Sequence, residues 1–169
     1  MEKNYRFFMI SAGRKERDIM EYVMHPIGVI HSPFTQKAQT PIQSSRSSAK
    51  GTIEIFPNLV EGLADVEGFS HIILLYVFHC SSGYALRVKP FLDNQLRGLF
   101  ATRYPHRPNP IGMSIVRMLS CQKNVLEIEG VDVLDNTPLL DIKPYVPDFD
   151  VKTGVRTGWY EVRNMRNDE

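Results

Sequence analysis

Four side chains able to grip anions or planar bases, Arg103, His106, Arg107 and Asn109, crowd into the stretch Gly98 to Ser114, G-L-F-A-T-R-Y-P-H-R-P-N-P-I-G-M-S. Pro105, Pro108 and Pro110 lie among them. Each proline fixes φ, removes a backbone donor and pushes the preceding residue out of the α region. Neither a helix nor a central strand runs through such a pattern, so a stiff, extended loop is expected. A braced loop holds two guanidiniums at fixed separation, as recognition of anions or planar bases requires. The plain alternative is a rigid connector whose arginines face water.

Three further stretches carry chemistry. His31 to Lys50, H-S-P-F-T-Q-K-A-Q-T-P-I-Q-S-S-R-S-S-A-K, has no clear periodicity, and a loop that long in a compact domain is functional or disordered. Its prolines and serines fit a flap that orders over a ligand. His79-Cys80 is expected to close a strand. Asp135-Asn136-Thr137-Pro138 reads as a turn, because Asp and Asn side chains cap turns and Pro pre-sets φ. Its carboxylate and amides would then face a ligand, with Asp141-Ile142-Lys143-Pro144-Tyr145 close behind.

The net charge of +1 hides a segregation. Residues 31–50 and 97–110 hold Lys37, Arg46, Lys50, Arg97, Arg103 and Arg107 with no acid. Residues 111–150 hold Glu127, Glu129, Asp132, Asp135, Asp141, Asp148 and Asp150 against Arg117, Lys123 and Lys143. Basic loops with Phe34 and Tyr104 nearby suit a phosphate-bearing partner with stackable bases. Ordinary solvated loops are the alternative.

Several chemistries drop out. No HExxH or i, i+4 pair occurs among the histidines. His71 and His79 share one expected strand, yet at ~3.3 Å per residue they stand roughly 26 Å apart, too far to share an ion. Cys80 and Cys121 form no CxxC pattern, so no disulfide framework or structural zinc site is indicated. Neither GxSxG, GxGxxG nor a P-loop is present.

The elements that must position these loops read as strands. Val23 to Ile30, Gly51 to Phe56, His71 to Phe78, Gly98 to Thr102, Ile111 to Leu119 and Val125 to Leu134 are rich in β-branched and aromatic residues. Leu139 to Ile142 and Thr157 to Val162 are shorter candidates. Thr52 to Ile55 and Leu126 to Glu129 alternate with period two, marking half-exposed strands. His71 to Phe78 should be a buried central strand. Only Leu59 to Val66 and the first 20 residues could be helical. Without βαβ alternation a doubly wound sheet is not expected. The fold class is a mostly β, single-domain small barrel with one or two short helices, not Rossmann. It should span residues 22–150, with residues 1–21 an appendage (Met20 and Met24 being alternative starts) and residues 151–169 a C-terminal strand or tail.

The motifs also carry a resemblance. Pro26-Ile27-Gly28-Val29-Ile30-His31-Ser32-Pro33, Gly68-Phe69-Ser70-His71, the Phe78-His79 strand end, Phe100-Ala101-Thr102-Arg103 through His106-Arg107-Pro108-Asn109-Pro110-Ile111-Gly112, and Leu134-Asp135-Asn136-Thr137-Pro138 through Asp141-Ile142-Lys143-Pro144-Tyr145 resemble the TrmO family. Its members are tRNA methyltransferases that use S-adenosylmethionine to methylate N6-threonylcarbamoyladenosine beside the anticodon. The resemblance runs from about Tyr22 to Asp150. It implies a small β-barrel acting as a homodimer, with the cofactor near the interface and no metal.

Carried over by position, the cofactor contacts would be Gln43, Ser44 and Ser45 of the flap, His79 and Cys80, Arg103, Ile128, and Asp135, Asn136, Thr137 and Pro138. The proton of the acceptor nitrogen would go to Asp135, Asp141 or Tyr145, with no order among them. Arg103 and Arg107 would meet the carboxylates of cofactor and base by their forked geometry. Lys37, Arg46, Lys50 and Arg97 would meet the tRNA backbone. Two departures stand out. Tyr104 replaces a smaller residue, and Asn136 replaces the frequent Gly of a D-G-T-P turn, where Asn tolerates φ > 0 nearly as well. The resulting reading is a tRNA methyltransferase. Its alternatives are a non-catalytic RNA-binding barrel and a methyltransferase of small molecules. No stretch approaches the ~20 apolar residues of a membrane span, so a cytoplasmic protein with no membrane partner is expected.

Overall fold

The computed structural model describes residues 22–161, so the expected appendage at 1–21 and the last residues of the tail, 162–169, lie outside the described residues. The strands are β1 Gly28–His31, β2 Lys50–Ile55, β3 His71–Val77, β4 Arg87–Val88, β5 Arg97–Gly98, β6 Ile111–Gln122, β7 Val125–Glu129 and β8 Thr137–Pro144. Six of them close into a barrel in the order β1-β2-β7-β6-β3-β8, and β4 and β5 form a separate two-stranded ribbon. Every pairing is antiparallel. Closure leaves the barrel no unpaired edge.

Period-two alternation drives the closure. Ile53 and Ile55 on β2, and Leu126 and Ile128 on β7, point inward and are buried, while Glu54 and Glu127 stay exposed. Ile30, Ile72, Leu74, Val116 and Leu139 complete the core from the other strands. The approach of β1 to β2 depends on Gly28, where a Cβ would stand 2.3 Å from the Glu54 carbonyl oxygen. Only glycine fits there.

Several local expectations are corrected. Gly98 to Thr102 is not a strand: β5 stops at Gly98 and a 3₁₀ turn, Leu99–Ala101, follows, because the buried Leu99 anchors a turn whose end Arg107 braces. The expected Thr157 strand is a 3₁₀ turn, Gly158–Tyr160, with Gly158 at φ 60° breaking extension. Leu59 to Val66 is not α-helical but lies across two 3₁₀ turns, Pro57–Leu63 and Val66–Gly68, interrupted by Asp65 at φ 65°. The α-helix in the described residues is Pro147–Asp150. β3 is not buried on both sides. Ile72, Leu74 and Tyr76 face the core, whereas Ile73 and Leu75 lie half-buried on the outer wall, as a barrel strand with two unlike faces requires. His79 lies beyond the end of β3, so the two histidines do not share a strand.

Candidate functional site

Antiparallel closure sets the ends of β1, β3 and β7 and the starts of β2, β6 and β8 around one rim. The long connections 32–49, 78–110 and 130–136 all leave from that rim. The flap, the proline-braced loop and the Asp135 turn, far apart in sequence, therefore share one mouth.

The flap is folded onto its neighbours. It forms two 3₁₀ turns, Lys37–Gln39 and Ser44–Arg46. Ser32 Oγ donates to the Val133 carbonyl at 2.6 Å and Ser47 Oγ to the Val131 carbonyl at 2.6 Å. The Asp135 amide donates to the Phe34 carbonyl at 2.8 Å. Short polar side chains thus stitch the flap along the connection from β7 to β8.

That connection ends in a turn at Asp135 and Asn136, whereas Thr137 and Pro138, expected in the turn, already belong to β8 and pair with β1. Asn136 takes φ 60°, and its side-chain amide donates to Asp135 Oδ2 at 2.8 Å. Asp135 Oδ1 accepts the Ser32 amide at 3.1 Å, with His31 Nδ1 3.5 Å away. Thr137 is buried, its Oγ1 donating to the Leu134 carbonyl at 2.7 Å and lying 3.5 Å from His79 Nδ1. Pro138 pairs with Val29 of β1.

The arginines of the rim divide their work. Arg107 Nη1 donates to the Leu99, Thr102 and Tyr104 carbonyls at 3.4, 2.9 and 3.4 Å, with its guanidinium 5.7 Å from the Phe100 ring. It braces its own loop. Arg103 is exposed and reaches across to the flap, Nη1 donating to Gln43 Oε1 at 2.8 Å. A guanidinium has five donors, so most of this fork is open to an anion. The Arg97 fork meets Asp93 Oδ2 through Nε at 2.7 Å and Nη2 at 2.7 Å, under the Trp159 ring at 5.7 Å. That pairing holds the Asp93 carboxyl below the ordinary carboxylate range. Lys37 Nζ donates to the Cys80 carbonyl at 3.1 Å, and Arg46 and Lys50 are exposed on and beside the flap.

Two proposed site residues stand apart, and a third is turned into the core. Asp141 sits along β8 opposite Leu75, paired with Lys143 at 2.7 Å. Tyr145 follows the far end of β8, its amide donating to the His71 carbonyl at 3.2 Å and its ring 6.4 Å from the His71 ring. Ile128 lies one residue from the rim end of β7, but its side chain is 0% exposed in the core. A shallow hollow of about 450 Å³ opens between the Val66–Gly68 turn and the end of β6, lined by Phe69, Ser70, Leu119 and Cys121 among others. None of the expected site residues lines it.

Sequence reasoning missed Tyr76, Ser114 and Asp132. Ser114 Oγ donates to Asp132 Oδ1 at 2.6 Å and lies 2.9 Å from the Tyr76 hydroxyl. Burial pushes the Asp132 carboxyl above its ordinary range against the pull of the Ser114 bond, and burial also drives the Tyr76 phenol well up. The available signal was an acid between two valines, Val131-Asp132-Val133, inside an apolar run. Gly112 makes room for the Tyr76 ring, since a Cβ there would fall 2.2 Å from Tyr76 Cε2.

Comparison with known proteins adds to this geometry. Residues 29–151 match the family model of the tRNA-methyltransferase O N-terminal domain. A probable S-adenosyl-L-methionine-binding protein of Pyrococcus abyssi is 55% identical over 137 residues, which cover 80% of this chain and 74% of that protein. A tRNA (adenine(37)-N6)-methyltransferase of Mus musculus is 40% identical over 133 residues, covering 74% of this chain and 31% of that protein. The crystal structure of TrmO from Pseudomonas aeruginosa superposes with TM-score 0.72 at 40% identity, over 83% of this chain and 63% of that one. A further TrmO crystal structure gives TM-score 0.70 at 42% identity, over 82% of this chain and 64% of that one. The chain thus spans slightly less than two thirds of the solved structures it matches.

Proposed function

This chain belongs to the tRNA-methyltransferase O family, and from that premise we propose that it transfers a methyl group from S-adenosylmethionine to the N6 of threonylcarbamoyladenosine beside the tRNA anticodon. The observation that supports this most is the convergence of the flap, the Arg103 loop and the Asp135 turn on one rim. The donor set there fits the cofactor's chemistry. Its carboxylate suits the open part of the Arg103 fork, and its amino and ribose hydroxyl groups suit the Asp135 carboxylate and nearby carbonyls. When bound, S-adenosylmethionine supplies an electrophilic methyl on a sulfonium.

The residues contribute alignment more than chemistry. An in-line displacement gains most from holding its partners in place, and the proline-braced loop, stitched flap and αL turn are each rigid for stated reasons. The acceptor nitrogen must lose its proton during or after attack. Asp135 is the acceptor already at the mouth, held by Ser32 and Asn136. Asp141 and Tyr145, placed along and beyond β8, would serve the site only from a second copy.

A homodimer is part of this reading. Met113, Ile115 and Leu119 are exposed along β6, and Ile73 and Leu75 lie half-buried beside them, with Ile115 opposite Ile73 and Met113 opposite Leu75. An apolar wall of that kind marks an interaction site, and a second copy presents the same wall. The chain is expected to sediment as a dimer at micromolar concentration. A strict monomer that still methylates tRNA would refute a shared site.

Purified chain should bind S-adenosylmethionine at micromolar levels without added metal, and should methylate threonylcarbamoyl-tRNA but not the unmodified transcript. Calorimetry showing no heat up to millimolar ligand, with the protein folded, removes the cofactor. Equal transfer to both tRNAs removes the modified base. The RNA backbone would be met by the exposed flap cations. Changing Lys37, Arg46 and Lys50 together to Ala should flatten the salt dependence of tRNA binding, each lost phosphate contact lowering the slope by ~0.9 or less. An unchanged slope takes the flap off the RNA surface. Among the described residues no helix is long and apolar enough to cross a membrane, and a cytoplasmic reaction on tRNA is part of the proposed reading.

A further inference from the structure

Among the described residues the buried polar side chains are Ser114 and Thr137, and Ser114 belongs to a short polar chain that leads out to the mouth. Ser114, on the inner face of β6, has one hydroxyl proton and gives it to Asp132 Oδ1 at 2.6 Å. At the 2.9 Å contact between Ser114 and Tyr76, the phenol must then be the donor. The bonds run one way, from Tyr76 of β3 through Ser114 of β6 to the Asp132 carboxylate. Burial on this side disfavours the anion.

Two groups from the loops offset that penalty. The Ser44–Arg46 turn is folded against this stretch, with Ser47 Oγ donating to the carbonyl of Val131, the residue before Asp132, at 2.6 Å, and the Ser44 backbone N–H and the Arg103 guanidinium both favour the ionised form of the Asp132 carboxylate. Arg103 in turn donates to Gln43, the residue before Ser44, at 2.8 Å. A closed circuit results, running from Asp132 to Ser44, along the chain to Gln43, across to Arg103 and back to Asp132. It links the flap, the proline-braced loop and the β7–β8 connection through one carboxylate. Hydrogen bonds to an ionised group are about twice as strong as neutral ones, so a charged tie here adds to the neutral ones that Ser32 and Ser47 make to the Val133 and Val131 carbonyls.

We propose that Asp132 is the positioning residue of the mouth, a carboxylate that pins the Ser44 turn and draws Arg103 against Gln43 so that the three loops hold one shape before any ligand arrives. Asp132 is assigned a positioning role because its side-chain partner is Ser114 of the barrel wall, which holds Oδ1 at 2.6 Å. The shaping of a cofactor site rests on the function proposed above, whereas the pinning of the flap does not.

Two variants separate these. Asp132→Asn keeps the size and an acceptor but removes the charge. Ser44→Pro deletes the one N–H and leaves the barrel core untouched. Proline suits the first position of a 3₁₀ turn, and Gln43 before it is already extended at φ −151°, ψ 147°. In the full chain, both variants should speed tryptic cleavage at Arg46 about tenfold, as loss of one charged hydrogen bond raises the open population. Cleavage at Lys123, in the turn between β6 and β7, is the internal control and should not change. Unchanged cutting at Arg46, or equal acceleration at Lys123, overturns the proposal, since the second would mean that Asp132 only stabilises the fold.

Calorimetry then reads the site. Asp132→Asn should weaken S-adenosylmethionine binding about tenfold in the parent and less than about twofold in an Arg103→Ala background, because coupled residues are non-additive. Equal weakening in both backgrounds would sink the link through Arg103. If the parent gives no heat while Arg46 cleavage still accelerates, the pinning stands and the cofactor assignment is what fails.

Discussion

Arg103→Lys is expected to fold as the parent does and to lose methyl transfer by roughly 10²-fold or more, the same loss as Arg103→Ala, because one displaced positioning contact costs about that much. The residue sits just after the Leu99–Ala101 turn and just before the prolines, so its backbone has little freedom to compensate for a changed side chain. Its Nη1 spans to Gln43 Oε1 across the mouth, leaving other donors of the same plane for a ligand carboxylate. Lysine retains the charge but is a point donor on a flexible stem, unable to bond Gln43 and an anion in one plane. An exposed arginine that merely decorated the loop would tolerate the change. Single-turnover methylation of threonylcarbamoyl-tRNA by Arg103→Lys within a few-fold of the parent is the result that supports decoration.

Ile128→Ala should produce the largest loss of stability among the proposed site residues, with little change in cofactor affinity per folded molecule. Its side chain is 0% exposed in the core beside Ile53 and Leu126. Truncating a buried isoleucine costs about 2–5 kcal/mol through lost transfer energy and the cavity left behind. A chain of this size should then melt roughly 10 °C lower. Thermal denaturation and calorimetry together decide the matter. A variant with unchanged melting temperature but weakened S-adenosylmethionine binding would return Ile128 to the cofactor site, whereas the expected pattern assigns it to packing.

The contrast between these two residues shows where sequence reading reached and where it stopped. The stiff loop that carries Arg103 was legible because its prolines are local constraints, each acting on its own φ and its neighbour's ψ. The Asp135-Asn136 turn was legible for the same reason, since Asn136 takes the αL conformation that Asn tolerates. The β-barrel class followed from period-two alternation on β2 and β7 and from the lack of βαβ spacing. The 3₁₀ turn at Leu99–Ala101 was misread as a strand because its stability comes from Arg107 eight residues away, reaching back to the Leu99 carbonyl.

What the sequence by itself determined was the material of the mouth: stiff loops, two basic stretches, a polar turn and alternating strands that had to close. Only the tertiary structure decided which of these loops meet. Barrel order β1-β2-β7-β6-β3-β8 places the connections 32–49, 78–110 and 130–136 on one rim, while the same order sends Tyr145 to the other end. No local propensity encodes that choice, because it depends on which strand ends pair across long sequence separations. Asp132 showed in the sequence only as an acid between two valines, and its role stayed hidden for a related reason. Its role comes from the burial and partners that Tyr76, Ser114 and Ser44 supply from three other segments, and a carboxylate's environment exists only once those segments have packed around it.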